Sequence, residues 1–264
     1  MILNEILTHR RREIEELKIR YPLRKLEEAV ARKDGAASRD FRKSISNSHR
    51  LNIIAEIKKA SPVEGVLRDD FQPLRLAAML EYAGAAALSI LTETRFFKGR
   101  PSYLKTIRQV TTLPLLRKDF ILDEYQLYES RLLDADAVLL IASLLTDEEL
   151  KRFINRCREL HLEVLVEIHT EEDLKKAGDA GAEIVGINNR NLQTLEVDVH
   201  RAERLLGHVP KNATVVVESG FKEREEILKY KSLGISAFLV GTSLMKSRDV
   251  ASKLQELLKG GKNA

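Results

Sequence analysis

Eight short runs of aliphatic and β-branched residues lie roughly 20 to 35 residues apart, and each interval between them takes up a helical apolar period. Together these observations predict an α/β fold: a (βα)8 barrel of the TIM type, with an N-terminal helical extension in front of it. The intervals suit crossover helices and are too long for hairpins, so the strands should be parallel. Once the N-terminal segment of the 264 residues is set aside, the length is close to the usual size of such a barrel, about 250. An open doubly wound sheet is the alternative. It would normally carry a Gly-rich dinucleotide or nucleotide loop, and neither G-x-G-x-x-G nor G-x-x-x-x-G-K-[ST] occurs.

Taken in order, the chain opens with apolar positions at helical spacing: Leu3, Ile6 and Leu7, then Ile14 and Leu17, then Leu23, Leu26 and Val30. These predict two amphipathic helices that dock on the barrel. The strand runs are Ile53–Ile57, Ala86–Leu91, Leu113–Leu116, Ala137–Ile141, Val164–Ile168, Ile184–Ile187, Thr214–Val217 and Ala237–Val240. The helical stretches are Leu74–Tyr82, Leu104–Val110, Tyr125–Leu133, Leu150–Leu160, Leu174–Ala180, Ala202–Leu206, Ile227–Leu233 and Leu254–Leu258. Thr146 with Glu149 reads as a capping box, and Thr170 ahead of Glu171, Glu172 and Asp173 as a capped, dipole-matched start. Residues 1–50 are thus expected to form the extension and 51–264 the barrel, in one structural domain.

Composition narrows the functional classes. A hydrophobic content of 44% supports one large core, and no apolar stretch is long enough to cross a bilayer. Met1–Arg20 alternates apolar and charged residues without the continuous apolar region of a secretory signal, so a cytoplasmic enzyme is expected. The single Cys157 excludes an internal disulfide and any multi-cysteine metal site, and no histidine spacing suggests a metal. The pI near 9.0 raises the question of nucleic acid. Residues 1–50 hold 13 Lys or Arg against 8 Asp or Glu, so that, with +4 overall, residues 51–264 carry one net negative charge. Only Tyr21 and Phe41 accompany the basic residues, which favours docking on the barrel over a nucleic-acid face.

The strand ends carry the chemistry. Glu56 and Lys58 are two apart and share a face with Ile54. Burying one charge alone would cost on the order of several kcal/mol, so the pair should enter the barrel mouth together, with a structural ion pair as the alternative role. Lys118 shares a face with Leu116 and Phe120. Aromatic and cationic neighbours there are expected to disfavour its ammonium form, while Arg117 serves as the solvated charge at the strand end. Glu167 shares a face with Leu165 and His169, so Lys118 and Glu167 would set an acid and a base two strands apart. Asn188 and Arg190 share a face with Gly186, whose missing side chain would leave room for a bound group, and Arg190 suits carboxylate capture. Asn189 and Asn191 read as turn formers. Ser61 and Pro62 open a loop whose hydroxyl could meet an anion. Glu218-Ser219-Gly220 and Gly241-Thr242-Ser243 close the last two strands in the manner of a barrel phosphate site.

The strings IIAEIKKASP, LTETRFFKG, LLRKDF, LVEIH, GINNRNL, VVESG and FLVGTSLM, in this order, closely resemble the indole-3-glycerol phosphate synthase family, over about Asn4 to Leu258. The resemblance implies a ring-closing lyase of tryptophan biosynthesis acting on 1-(2-carboxyphenylamino)-1-deoxyribulose 5-phosphate, with no cofactor. It implies Lys118 as general acid and Glu167 as general base, with Lys58 and Arg190 holding and polarising the substrate. Glu56, Asn188 and Glu218 would complete the polar network beside Ser219. Ser61, Gly220, Gly241 and Thr242 would cradle the phosphate, and Pro62, Phe97, Phe120, Leu139, Leu192 and Leu239 would wall the aromatic ring. A monomer is expected. One departure is marked: where the family usually reads Ser-Pro-Ser, this chain has Ser61-Pro62-Val63-Glu64, which replaces a hydroxyl and adds an acid beside the anion site. A Schiff-base aldolase using Lys118 or Lys58, and a basic nucleic-acid adaptor using residues 1–50, are the competing readings.

Overall fold

The computed structural model describes residues 2–33 and 39–259. Eight strands form a closed parallel barrel: β1 (Asn52–Ile57), β2 (Ala87–Leu91), β3 (Leu115–Lys118), β4 (Ala137–Ile141), β5 (Glu163–Ile168), β6 (Ile184–Asn188), β7 (Thr214–Glu218) and β8 (Ala237–Val240). Each pairs with its sequence neighbours, and β8 closes on β1 with Ile54 opposite Leu239. The helices are α1 (Ile2–Arg20), α2 (Leu23–Ala31), α3 (Phe41–Ile45), α4 (Pro73–Ala83), α5 (Ser102–Ile107), α6 (Tyr125–Leu132), α7 (Asp147–Glu159), α8 (Glu171–Asp179), α9 (Arg201–Leu206), α10 (Arg224–Ser232), α11 (Thr242–Lys246) and α12 (Val250–Lys259).

Local chemistry explains most boundaries. Pro73 opens α4 and Gly84, at φ 104°, ends it in a left-handed cap. The Thr146 hydroxyl accepts the Glu149 amide while the Glu149 carboxylate accepts the Thr146 amide, the capping box expected for α7. The third strand departs from its apolar run, beginning at Leu115 and continuing through Arg117 and Lys118. Pro114 has no amide to give the ladder, and the two charged residues pair with Ile90 and Leu91 of β2 instead of ending the strand. A two-strand hairpin of Ala60–Ser61 and Gly65–Val66, and the short α3, are additions that apolar periodicity did not signal.

The core has two layers. Outward-facing strand residues such as Ile53, Leu88, Val138, Val166 and Val217 pack under the helices. Inward-facing Ile54, Leu116, Leu139, Leu165, Val216 and Leu239 fill the barrel together with Phe41 and Ile45 of α3 and Leu3 and Ile6 of α1. The extension therefore contributes to the barrel's interior packing as well as to its outside. Several of its basic residues pair with barrel acids and carbonyls. Lys18 pairs with Asp123 at 2.6 Å, Lys33 with Asp134 at 2.5 Å, and Arg42 reaches Glu183 at 2.5 Å and the Asn212 carbonyl at 2.9 Å. Residues 34–38 of the expected 1–50 segment lie outside the described residues.

Candidate active site

The carboxyl ends of the strands surround a cavity of about 850 Å3. Every site residue inferred from the sequence lines it. Lys118, Glu167, Lys58, Glu56, Asn188, Glu218, Arg190 and Ser219 supply the polar wall. Pro62, Phe97, Phe120, Leu139, Leu192 and Leu239 supply an apolar wall, and Ser61, Gly220, Gly241 and Thr242 gather at one end. Period-two alternation accounts for this: Glu56, Lys118, Glu167, Asn188 and Glu218 each continue the inward row of their strand.

Lys118 stands at the centre. Its Nζ lies 3.1 Å from Glu167 Oε2 and 3.0 Å from Glu218 Oε2, with 16% of its side chain exposed against 1% for each glutamate. Burial opposes the ammonium, but Glu167, Glu218 and Glu56 outweigh it and hold the Lys118 pKa above the usual lysine range. This reverses the expectation of a disfavoured ammonium, because the neighbours that strands β5 and β7 deliver are acids, not cations. The two glutamates differ. Burial raises Glu167, yet Lys118, His169 and a hydrogen bond from Asn188 bring it below the ordinary range. Burial dominates at Glu218, which is pushed up to about 7 with further help from Glu167 and Glu56, against the pull of Lys118. The Lys118–Glu167–Glu218 cluster thus holds one ammonium, one firm carboxylate and one carboxyl that titrates near neutrality.

Two glycines make this clustering possible. An added Cβ on Gly186 would stand 2.6 Å from Glu218 Oε1 and 3.1 Å from Leu165, and one on Gly241 would collide with the Glu56 carboxylate. The space beside Gly186 is accordingly taken by the Glu218 carboxylate, not kept for a bound group. Glu56 and Lys58 form a 2.6 Å ion pair inside the mouth. Asn188 Oδ1 accepts from Ser219 Oγ at 2.9 Å and from the Arg190 amide at 3.0 Å. The Arg190 guanidinium rests on the Leu195 carbonyl at 2.7 Å while its side chain lines the cavity. Ser61 Oγ accepts the Glu64 amide at 3.2 Å, and Glu64 pairs with Lys246, so the added acid is met by a lysine of α11. Ser219 and Gly220 both have positive φ, 67° and 98°, turning the chain sharply at the end of β7.

Two turn expectations divide. Asn191 forms its turn, accepting from the Gln193 amide at 2.7 Å and the Thr194 amide at 3.1 Å. Asn189 is buried and ties loops together, donating to the Ser219 carbonyl and accepting from the Ala202 amide.

Arg117 is corrected too: it is fully buried and not a solvated strand end. With Arg10 of α1 it encloses Asp119, whose Oδ2 lies 2.6 Å from Arg10 Nη2, 3.0 Å from Arg117 Nη2 and 2.5 Å from the Thr92 hydroxyl. Burial notwithstanding, these cations keep the Asp119 carboxyl below its usual range. Asp119 sits between Lys118 and Phe120, so the network fixes the backbone from which both enter the cavity. Sequence reading missed it, and it missed Leu3 and Ile6 of α1 as cavity wall. It also missed Glu93, whose carboxylate accepts the amides of Arg95, Phe96 and Phe97 and sets the loop that carries Phe97. A buried-seeking arginine on an otherwise apolar helix face, Arg10 with Leu3, Ile6 and Ile14, was the available signal.

Among solved structures, 3-hexulose-6-phosphate synthase from Salmonella typhimurium superposes with a TM-score of 0.62 at 16% identity, covering 78% of this chain and 96% of that one. N-acetylmannosamine-6-phosphate 2-epimerase from Clostridium perfringens does so with a TM-score of 0.60 at 17% identity, covering 78% and 90%. At such identities the likeness is one of fold. Curated relatives are far nearer in sequence. An indole-3-glycerol phosphate synthase of Thermoanaerobacter pseudethanolicus is 43% identical over 99% of both chains, and one of Acetivibrio thermocellus 43% identical over 97% of this chain and 98% of that one. The family model described as indole-3-glycerol phosphate synthase matches residues 3–257, from the first helix that walls the cavity to the last that braces the barrel. The chain belongs to the indole-3-glycerol phosphate synthase family.

Proposed function

We propose that this enzyme converts 1-(2-carboxyphenylamino)-1-deoxyribulose 5-phosphate to indole-3-glycerol phosphate, carbon dioxide and water, in tryptophan biosynthesis. The observation that carries the residue-level reading is Lys118 held between Glu167 and Glu218, facing an apolar wall and a glycine-lined end in one cavity. Phe97, Phe120, Leu139, Leu192 and Leu239 sandwich the anilino ring, and Gly220, Gly241, Thr242 and Ser61 receive the phosphate at the other end. This stretches the sugar chain past the polar groups and brings the ring carbon bearing the carboxylate onto the ketone carbon.

A carbon–carbon bond then forms, and the ketone oxygen takes a proton from Lys118, whose neighbours keep it charged until a substrate group competes for that proton. Lys58 and Arg190 hold the carboxylate; Arg190 leaves the Leu195 carbonyl to do so, and Lys58 stays paired with Glu56. The carbon–carboxylate bond breaks, its electron pair restores the ring, and carbon dioxide departs. Glu167 removes a proton from the carbon beside nitrogen while the new hydroxyl leaves as water with a second proton, given by Lys118 once it has been recharged, and the indole results.

Holding Lys118 as an ammonium works against the amine nucleophile that a Schiff-base aldolase needs. The pairing of extension lysines and arginines with barrel acids works against a nucleic-acid adaptor. Residues 1–50 and the barrel act as one folding unit, because Leu3, Ile6, Phe41 and Ile45 pack into the barrel interior, and the enzyme works as a monomer. A charged phosphate ester does not cross membranes, which supports a cytoplasmic enzyme that meets its substrate there.

Mixing protein with the anilino-ribulose phosphate should produce indole fluorescence with one carbon dioxide per product. Folded protein that gives neither overturns the reading. Lys118→Ala should cut kcat by about 100-fold or more with KM little changed, because the lost interaction belongs to the transition state.

A further inference from the structure

The proposed reaction consumes one proton per turnover, because a carboxylate leaves as neutral carbon dioxide. Two protons go in, to the ketone oxygen and to the departing hydroxyl, and Glu167 takes one out. Between the two donations the substrate fills the cavity, so recharging the buried pair of Lys118 and Glu167 is best served by a group that touches the pair without belonging to the cavity lining. His169 stands there. Its Nε2 lies 3.4 Å from Glu167 Oε1, and neither atom has a hydrogen-bond partner among the described residues. Its Nδ1 is also unpartnered and lies 4.0 Å from Asp173 Oδ2 on α8. The His169 side chain retains 11% exposure where Glu167 retains 1%, and His169 is not part of the cavity lining.

We propose that His169 is a positioning residue for proton supply, passing a solvent proton to Glu167, and through it to Lys118, once in each catalytic cycle. This rests on the roles of Glu167 and Lys118 given above. A solvent proton adds to imidazole Nδ1, the imidazolium releases its Nε2 proton to Glu167 Oε1, and exchange with water then returns the ring from its Nδ1–H to its Nε2–H form for the next turnover. Rotation of that carboxyl hands the proton to the Lys118 amine across the 3.1 Å contact, restoring ammonium and carboxylate and leaving neutral imidazole. The charged groups that bear on the relay are Glu167 at the end of β5, just before His169, Asp173 of α8, Lys118 of β3 and Glu218 of β7, with the Asn188 amide of β6 on the Glu167 carboxylate. Asp173 also accepts the His169 backbone amide at 2.9 Å, which fixes the ring's base between the two carboxylates. An imidazole is suited to the task because it binds and releases protons near neutral pH through two separate atoms.

The test uses the full-length enzyme and two variants, His169→Gln, which keeps polarity without a protonatable ring, and His169→Phe, which keeps ring volume. Both are expected to lose about 10-fold in kcat with KM within about twofold. The solvent deuterium isotope effect on kcat should rise, and added imidazole should restore rate in proportion to its concentration. A kcat in His169→Gln within about twofold of the parent overturns the proposal. So does a loss with an unchanged isotope effect and no response to imidazole, which would mark a packing role. A parent enzyme without turnover, or Glu167→Gln with full turnover, would instead count against the reading on which the proposal rests.

Discussion

Glu218 is the residue whose protonation decides how tightly Lys118 keeps its own proton. Below about pH 7 it is largely a neutral carboxyl and Lys118 answers mainly to Glu167; above, a second carboxylate tightens the hold and weakens the acid. The rate should therefore decline as pH rises through about 7, and Glu218→Gln, neutral throughout, should remove that limb from the kcat profile. Stability follows the same sign. A carboxyl whose folded pKa is raised from 4.5 to about 7 contributes fully below about 4.5 and loses its contribution as pH rises through about 7. Melting temperature, Glu218→Gln relative to parent, should accordingly improve by a few degrees between about pH 5 and about pH 8. A constant difference across that range would show that Glu218 ionises at its ordinary value.

At the scale of elements, the capping box of α7 is separable from the site. Thr146→Ala removes the acceptor for the Glu149 amide and should cost about 1 kcal/mol in denaturant unfolding, with kcat and KM unchanged. Such features are legible in sequence because they are local: donor and acceptor lie three residues apart, and the inward row of a strand is set by period two. That is why the sequence alone places Glu56, Lys118, Glu167, Asn188 and Glu218 at one rim. The sense of the charge around Lys118 is not local. Its partners are 49 and 100 residues away, so their effect on its proton emerges only from barrel closure. Gly186 shows the same limit, since its role depends on a carboxylate from the next strand. The third strand slipped past its apolar run because Arg117 is paid for in burial by Asp119 and Glu129, which hydrophobicity alone does not register.

For the molecule as a whole, Arg10 is the strongest test of how far the extension belongs to the barrel. Arg10→Met removes one of two cations from a buried aspartate and should cost about 3 kcal/mol in denaturant unfolding, with a lower kcat as Lys118 and Phe120 lose their fixed backbone. Destabilisation below about 0.5 kcal/mol would mean that the helix is an accessory cover. Phe41 and Ile45 carry the same dependence at the interior layer, with no exposed surface of their own. The Arg42 contact with the Asn212 carbonyl has a further consequence for biosynthesis. Arg42 is made early but meets Glu183 and the Asn212 carbonyl only late in synthesis, so the emerging polypeptide cannot anchor α3 through Arg42 until the segment leading into β7 has left the ribosome. Completion of the chain, and not the appearance of its first strands, then sets when the enzyme becomes native, and the interval before it is when chaperones have most to guard.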